Sequence, residues 1–224
     1  MTSTDHPRYR TFRDQLPAPV WHELLSIGSP KLYRPGDVLL REGSEDTFVL
    51  VVVEGVCKVV AARPGRGQTL IAVRGPGDTL GEFSAIDDAR RSASVYAVTE
   101  CRTRLVRGTT FVGFLSRHRL EATLSRYLSA KLRWNSTMVS ELAGLSVRAK
   151  VAWLLMRLAT MAAPDTFIPL YQKEMAELLG VAASSVKAAL GHFREQGLLR
   201  TEVGGVHLLA LDALTDEIHS DNLE

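Results

Sequence analysis

Hydrophobic and polar residues follow two different rhythms along this chain of 224 residues. Between Lys31 and Arg107 the apolar residues come in short runs, several of which alternate with polar residues, as β-strands do. Glycine-rich turns such as Gly75-Pro76-Gly77-Asp78 separate these runs. The pattern predicts strands at Val38–Leu40, Thr47–Glu54, Val56–Ala62, Gln68–Val73, Ser92–Val98 and Arg102–Val106. Short strands with this punctuation indicate a sandwich or a barrel.

The residues before this region have a different pattern. Residues 1–18 are polar and contain two prolines, so we expect a loose arm. A short helix is predicted from Pro19 to Ile27, because proline is favoured in the first turn and the apolar residues fall on one side. The Gly28-Ser29-Pro30 sequence ends this helix.

After Arg107 the apolar residues recur every three or four positions, which is the period of helices. A short helix is predicted at Thr109–Leu115, and a long one without proline or glycine from Arg119 to Ala143. The long helix carries a narrow stripe on one side: Leu120, Leu124, Leu128, Leu132, Asn135, Val139 and Leu142. Such a stripe on so long a helix indicates pairing with a second helix. Packing against the strands is the alternative.

The last third of the chain has the pattern of a winged helix-turn-helix. The Gly144-Leu145-Ser146-Val147 sequence interrupts the long helix, and Ser146 is the expected cap of the next one. Helices are predicted at Val147–Ala162, Tyr171–Leu179 and Ala183–Gln196, and strands at Phe167–Ile168 and on both sides of the Gly204-Gly205 turn. Two short helices that meet at Gly180 fit a helix-turn-helix, and the hairpin fits its wing. Residues beyond Leu214 are expected to fray.

Composition narrows the class of protein. The chain is 46% hydrophobic, no apolar run approaches the ~20 residues of a membrane helix, and the N-terminus lacks a signal-peptide layout. We therefore expect a cytoplasmic protein without a membrane partner. Cys57 and Cys101 lie in strand-like runs, where small core residues are expected rather than a disulfide or a metal site. The common enzyme motifs do not occur, so we expect no enzyme.

One stretch carries the chemistry of a ligand site: Gly81-Glu82-Phe83-Ser84-Ala85-Ile86-Asp87-Asp88-Ala89-Arg90-Arg91-Ser92-Ala93. Gly81, on an expected tight turn, permits close backbone approach, and the Glu82 carboxylate can accept from a sugar hydroxyl. The Arg91 guanidinium can bind a phosphate bidentately, with Ser92 as a further donor. Together these groups suit one ribose and one phosphate. A buried ion pair between Glu82 and Arg91 is the structural alternative.

The stretch Gly81–Ala93 resembles the phosphate-binding cassette of the CRP/FNR family, the family of cyclic-AMP receptor proteins. The resemblance runs from about Leu32 to Leu214, and the turns at Tyr33–Val38 and Gly75–Asp78 look like turns of that family's β-roll. It implies an α+β fold in three parts: an N-terminal double-stranded β-roll that binds a cyclic nucleotide, with its N-terminal arm (1–118), a long dimerisation helix (119–144), and a C-terminal winged helix-turn-helix (145–224).

The resemblance also implies a ligand, cAMP, and its contacts. Glu82 is expected on the ribose 2′-hydroxyl, and Arg91 with Ser92 on the cyclic phosphate, with the Gly81 backbone alongside. The other cassette residues assigned to the site are Phe83, Ser84 and Ala93.

Two residues of the long helix complete the implied site. Asn135 and Ser136 align with a family pair that contacts adenine, and the amide of Asn135 both donates and accepts. The alternative role of Asn135 is to set the register of paired helices. Ligand binding at this helix is expected to shift a hinge at Gly144–Val147 and reorient the helix-turn-helix pair.

The predicted recognition helix departs from the family pattern. Well-known members open this helix with Ser-Arg-Glu-Thr-Val and place a second arginine two positions after the valine. Here the stretch is Ala182-Ala183-Ser184-Ser185-Val186, with Ala188 at the second arginine position. The side chains that read guanine and cytosine edges are therefore missing. The residues that we assign to DNA contact are Gln172, Lys173, Ala183, Ser184, Ser185, Lys187 and Arg200.

These observations favour a homodimeric transcriptional regulator that is controlled by cAMP, binds a palindromic site in double-stranded DNA and works with RNA polymerase. Residues 145–224 nevertheless hold seven Lys and Arg against ten Asp and Glu, a net charge of −3, whereas DNA-binding domains are usually basic. Three alternatives therefore stay open: DNA binding without a ligand, control by cGMP or cyclic di-GMP, and a nucleotide sensor that acts through protein contacts.

Overall fold

The computed structural model describes residues 10–63, 67–162 and 167–220. Its fold is α+β, in the predicted order of a β-rich unit, a long helix and a helix-turn-helix with a wing. A 3₁₀ turn (Arg13–Gln15) and helix α1 (Ala18–Ser26) come first. The strands of the β-rich unit are β1 (Ser29–Tyr33), β2 (Val38–Leu40), β3 (Val49–Glu54), β4 (Cys57–Arg63), β5 (Gly67–Arg74), β6 (Thr79–Leu80), β7 (Ser94–Ala97) and β8 (Cys101–Val106). Helix α2 (Glu82–Asp87) precedes β7, and α3 (Gly108–Arg117) follows β8.

The eight strands form a roll of two four-stranded antiparallel sheets. One sheet has the order β1-β8-β3-β6 and the other the order β2-β7-β4-β5. Alternate side chains point between the sheets, where Leu50, Val52 and Val95 are buried. The bounds of β2 are as predicted, and five further predicted strands begin within two residues of the observed ones. Strands β1 and β6 were not predicted, because the first is largely exposed and the second is two residues long.

The two cysteines lie in the core of the roll as free thiols, as expected for small core residues. The Cys57 thiol donates to the Arg74 carbonyl at 3.5 Å and the Cys101 thiol to the Val56 carbonyl at 3.2 Å. Burial raises the pKa of Cys101 to about 11 and that of Cys57 well above its usual range. Both side chains are therefore protonated, unreactive thiols.

The expectation of a loose N-terminal arm is wrong for residues 10–16. Phe12 is fully buried, with its ring centroid 5.3 Å from that of Tyr127, and the Arg13 amide donates to the Gly77 carbonyl. One aromatic side chain is enough to fix this polar segment, because burial of a phenylalanine outweighs the ordering of a few residues. Residues 1–9 lie outside the described residues.

Helix α4 (Glu121–Gly144) has the predicted length, but its stripe faces two ways. Leu120 and Leu124 are buried against Phe111 and Trp21 of the roll unit, so the alternative of packing against the roll holds for this end. Leu132 is 55% exposed and Leu128 is half-buried. The helix is thus anchored on the roll through its first half and leaves an apolar edge uncovered.

The C-terminal unit contains α5 (Val147–Ala162), β9 (Phe167–Ile168), α6 (Gln172–Leu179), α7 (Ala183–Glu195), β10 (Leu199–Glu202), β11 (Gly205–Leu208) and α8 (Leu211–Ser220). Its three strands have the order β10-β11-β9. The Ser146 hydroxyl accepts a hydrogen bond from the Ala149 amide, as predicted for a cap. The predicted fraying beyond Leu214 is wrong, because α8 continues to Ser220 and its Glu217 carboxylate binds Arg148 and His192.

The roll and the C-terminal unit share one apolar core. Val60 and Leu70 of the roll belong to the same buried cluster as Met175 and Leu178 of α6. At the rim of this contact the Lys58 ammonium lies 3.0 Å from the Glu174 carboxylate. The first helix of the helix-turn-helix is therefore docked on the outer surface of the roll.

Candidate functional site

The ligand-binding candidate residues gather where strand β6 meets helix α2. Gly81 caps α2 in a left-handed conformation with φ 81°, and a Cβ at this position would clash with the Arg91 guanidinium. The tight turn expected at Gly81 and Glu82 is instead the start of the six-residue helix α2, whose C-cap residue Asp88 has a φ of 53°. The glycine is required both by its backbone conformation and by its neighbour.

Arg91 lies buried across this junction. Its guanidinium donates to the carbonyls of Gly81 and Phe48, both at 2.5 Å, and covers the Phe48 ring at 5.1 Å. Burial lowers the pKa of Arg91, while the nearby carboxylates of Asp46 and Glu82 partly offset that effect. Its Nε is buried and has no hydrogen-bond partner among the described residues. The guanidinium is held in place by backbone groups and retains a donor.

Glu82 does not form the ion pair with Arg91 that was the structural alternative. Its carboxylate is buried, and Oε1 accepts a hydrogen bond at 2.7 Å from the ammonium of Lys131 on α4. Lys131 also donates to the Thr79 carbonyl at 2.7 Å. The second oxygen, Glu82 Oε2, is buried without a partner in the described chain. An acceptor and the Arg91 Nε donor thus stay unsatisfied within one cassette.

The other cassette residues form the walls of this junction. Ser84 is a buried residue of α2 and Ala93 is half-buried, whereas Phe83 and Ser92 are exposed. Strand β7 begins at Ser94, two residues later than predicted, so Ser92 lies on the connecting loop. The structure therefore brings Gly81, Glu82 and Arg91 together and places Ser92 at the surface beside them.

Helix α4 is tied to the strand that leads into the cassette. The Tyr127 hydroxyl donates to the Asp78 carboxylate at 3.0 Å and accepts from the Thr79 amide at 3.1 Å. With the Lys131 contacts, α4 holds the backbone at Thr79 and the side chain of Glu82. Lys131 was not identified from sequence. The sequence feature that could have identified Lys131 is its position beside Leu132 of the stripe and one helical turn before Asn135.

The two residues expected at the nucleotide base lie one turn further along α4. The Asn135 side-chain oxygen accepts from the Arg74 guanidinium at 2.6 Å. Ser136 is exposed and its hydroxyl donates to the Leu132 carbonyl at 3.1 Å. Arg74, which is 2% exposed, was a further residue that sequence reasoning missed. Its place in a strand gave no indication that it would reach the helix.

The DNA-binding candidates lie on α6, α7 and β10. Ala183, Ser184 and Lys187 are exposed on α7, and Ser185 is half-buried. A groove of about 360 Å³ is lined by Gln172, Ser184, Lys187, Ala188, Gly191 and Arg194, together with Thr201 of β10. Arg194 and Thr201 were not among the predicted contacts, because residues that a sequence places on separate elements meet here only in the folded unit.

The cations of this surface differ in their partners. Lys173 lies 4.0 Å from the Glu177 carboxylate, and Arg200 lies 2.9 Å from that of Glu202. Lys187 and Arg194 form no salt bridge with any residue that the structure describes. These two are therefore the cations that the acidic C-terminal unit leaves unneutralised at the groove.

Two other kinds of site are absent from the described chain. Across residues 10–63, 67–162 and 167–220, no three His, Cys, Asp or Glu side chains are grouped in a way that suits a metal ion. Within the same ranges no helix is both long and apolar enough to cross a membrane.

Comparison with known proteins identifies both halves. Residues 30–118 match the cyclic nucleotide-binding domain, and residues 149–217 match the Crp-like helix-turn-helix domain. A CRP-like cAMP-activated global transcriptional regulator from Mycobacterium tuberculosis is 27% identical over 174 residues, which cover 75% of this chain and 78% of the relative. The cyclic AMP receptor protein from Thermus thermophilus is 27% identical over 195 residues, 87% of this chain and 89% of that protein.

A solved structure agrees with the fold. A CRP-family transcriptional regulator from Thermus thermophilus superposes with a TM-score of 0.72 at 24% identity, over 84% of this chain and 96% of that chain. The two domain matches lie on the roll and on the helix-turn-helix. The chain belongs to the CRP/FNR family of transcriptional regulators, with a cyclic nucleotide-binding domain followed by a Crp-like helix-turn-helix.

Proposed function

We propose that this DNA-binding regulator is a homodimer controlled by cAMP. The observation that carries the proposal is the pair of unsatisfied buried groups in the cassette, the Glu82 Oε2 acceptor and the Arg91 Nε donor. Buried polar groups without partners are rare in folded proteins, because each costs free energy. A ribose hydroxyl and a phosphate oxygen would satisfy one each. The names of both relatives, cAMP-activated in one and cyclic AMP receptor in the other, support the same ligand.

The proposed contacts with cAMP use the groups of this cassette. Glu82 accepts from the ribose 2′-hydroxyl, while Arg91 and Ser92 bind the cyclic phosphate beside the Gly81 backbone. Phe83, Ser84 and Ala93 shape the cassette around them. The unit acts by binding and carries out no reaction, in keeping with a family of regulators rather than enzymes.

The base contacts the long helix. Because Arg74 holds the Asn135 oxygen, the amide nitrogen is the part of Asn135 that donates to an adenine ring nitrogen. Ser136, exposed on the next position, supplies a hydroxyl that reaches the base. The ligand then acts on α4 at two places, through Lys131 beside Glu82 and directly at Asn135 one turn further on. The hinge at Gly144–Val147 passes the change to the helix-turn-helix.

The two-fold symmetry of the proposed dimer predicts the form of its DNA site. The uncovered edge of α4, with Leu132 exposed, pairs with its copy, so that two recognition helices face a palindrome with half-sites one helical turn apart. In this scheme residues 1–118, 119–144 and 145–224 are the sensor, the dimerisation helix and the DNA-binding domain. RNA polymerase is the protein partner, and the cytoplasm is the compartment of action.

Calorimetric titration with cAMP, cGMP and cyclic di-GMP tests the ligand. Saturable binding of cAMP, stronger than that of the other two, is the expected result; a preference for either of them assigns the cassette to that nucleotide, and no binding of any overturns the proposal. Selection from a random DNA pool, with and without cAMP, tests the readout. A palindrome that is enriched equally in both arms indicates ligand-independent binding, and no enrichment favours action through protein contacts.

A further inference from the structure

The exposed face of helix α7 carries only small residues at its centre. Val186, Ala189 and Phe193 are buried in the core of the C-terminal unit. The residues on the other side are Ala183, Ser184, Lys187, Ala188, Gly191 and Arg194. Positions three, four and seven apart share a helix face, so these side chains form one continuous surface. At Ala188 and Gly191, in the middle of that surface, no side chain is larger than a methyl group.

The groove on this face is lined by both apolar and polar residues. Ala188 and Gly191 contribute to the apolar part of the lining, while Gln172, Ser184 and Thr201 contribute an amide and two hydroxyls. The lining also includes Lys187 and Arg194, neither of which has a carboxylate partner in the part of the chain that the structure describes. A polyanion complements two unpaired cations in a domain whose net charge is otherwise negative.

We propose that this groove reads the C5-methyl group of pyrimidines in the major groove of DNA, and that Lys187 and Arg194 bind the flanking phosphates. The proposal deepens the DNA readout of the proposed function and rests on it. It assigns specificity to Ala188, which lines the groove, and to Ala183, which is exposed on the same helix face, and it adds Arg194 to the residues that bind the backbone. The natural group is the thymine methyl, and 5-methylcytosine presents the same chemistry.

The reason lies in what each base offers. Guanine is read by bidentate Arg or Lys, adenine by Asn or Gln, and cytosine by an acidic side chain, whereas the thymine methyl is read by apolar contact. Ala183 and Ala188 offer only apolar contact, and the one carboxylate of α7 is Glu195 at its last position. Because small side chains protrude little from the helix, the backbone of α7 can approach the base edges closely. With Lys187 and Arg194 assigned to phosphates, thymine is the base that the two alanines discriminate.

Replacement of thymine by deoxyuridine in the selected palindrome tests the methyl readout with the full-length protein. Binding is measured by fluorescence anisotropy in saturating cAMP, and each contacted methyl is expected to contribute about fourfold in affinity. Deoxyuridine in the spacer between the half-sites is the matched control and is expected to leave affinity unchanged. In a second arm, 5-methylcytosine replaces the thymine of a half-site, opposite guanine; affinity above that of the unmethylated cytosine site supports the methyl contact.

Unchanged affinity with deoxyuridine in the half-sites, although a palindrome is selected, overturns the methyl readout and leaves the proposed function intact. Failure to select any palindrome overturns both. The phosphate contact is tested by Arg194→Ala, which is expected to flatten the salt dependence of log K by about one unit per half-site. Arg117→Ala removes an exposed arginine of α3 and is expected to leave the salt dependence unchanged. Equal slopes for both variants overturn the assignment of Arg194.

Discussion

At the scale of single residues, the cassette is a set of charges that the protein has largely compensated before a ligand arrives. The Lys131 ammonium neutralises Glu82, and two backbone carbonyls hold the Arg91 guanidinium. Arg91 is therefore held by two separate segments, at Phe48 and at Gly81, and Glu82 is held by helix α4. The ligand is expected to complete the hydrogen bonding of a site that is already organised.

Arg91→Lys tests the phosphate site while retaining a cation. A lysine keeps the charge but loses the planar fork, so cAMP affinity is expected to fall by tenfold or more, as the loss of a charge-assisted bond of about 1.5–3 kcal/mol implies. Calorimetry measures this affinity, and urea unfolding checks that the variant folds. Arg90→Lys is the matched control, because Arg90 is the exposed neighbour and pairs with Glu45 at the surface. Equal affinities in the two variants would contradict the assignment of Arg91.

Lys131→Met tests the buried pair. It leaves the Glu82 carboxylate buried without its counter-ion, and removal of one partner of a buried pair costs about 3–5 kcal/mol of unfolding free energy. The double variant Glu82→Gln with Lys131→Met removes both charges and is expected to recover a large part of that loss. Urea unfolding of the wild type, both single variants and the double variant measures the coupling. Strictly additive losses would show that the two residues do not interact.

At the scale of elements, helix α4 has two faces with different surroundings. Its inner face buries Leu124 and Tyr127 against the roll and fixes strand β6, whereas its outer edge exposes Leu132. The stripe of leucines predicted as one seam is therefore divided between the core of the chain and an exposed edge. A substitution on α4 has different effects according to the face it touches.

Leu132→Glu and Leu124→Glu separate these two faces. A glutamate at Leu132 is expected to give folded monomers, because a charge in a helix-helix interface is disfavoured while the roll is untouched. A glutamate at Leu124, which is 5% exposed, is expected to destabilise the fold itself. Sedimentation velocity gives the oligomeric state and circular dichroism the fold. A dimeric Leu132→Glu protein would place the interface elsewhere.

At the scale of the whole molecule, the helix-turn-helix unit is attached to the roll by more than the connection at Gly144–Val147. Helix α6 packs on β4 and β5 through a shared core, and Lys58 pairs with Glu174 at its rim. The second oxygen of Glu174 accepts from the Tyr171 amide and caps α6. The same carboxylate thus stabilises the first helix of the helix-turn-helix and joins it to the roll.

Glu174→Gln is expected to loosen this attachment without loss of the cap, since glutamine also serves in a capping box. Lys58 then loses its carboxylate partner. Because the Glu174 side chain is 37% exposed, the pair is expected to contribute less than about 1 kcal/mol to the stability of the contact. This corresponds to hydrogen exchange up to about fivefold faster for the amides at the contact. Raised salt should produce the same change in the wild type. Lys58→Met, which removes the cation and keeps the Glu174 carboxylate, is the matched variant. Unchanged exchange in Glu174→Gln would exclude the ion pair as a determinant of docking.

The order of the elements and the residues of the cassette could be predicted from the sequence, because both depend on residues that lie close together along the chain. Alternation and helical spacing mark which residues share a face, and Gly81, Glu82 and Arg91 lie within eleven positions of each other, so that their chemistry could be read together. The absence of arginines at Ala183 and Ala188 was likewise visible as a local departure.

Only the tertiary structure decided what covers each face. Lys131 meets Glu82 across 49 residues, and Lys58 meets Glu174 across 116. Phe12 inserts into a core that its polar surroundings did not suggest. Periodicity gives the direction of a side chain relative to its own helix or strand, whereas the partner on the other side depends on how distant elements pack. For this reason the sequence alone predicted the cassette, and the folded chain supplied its counter-ion.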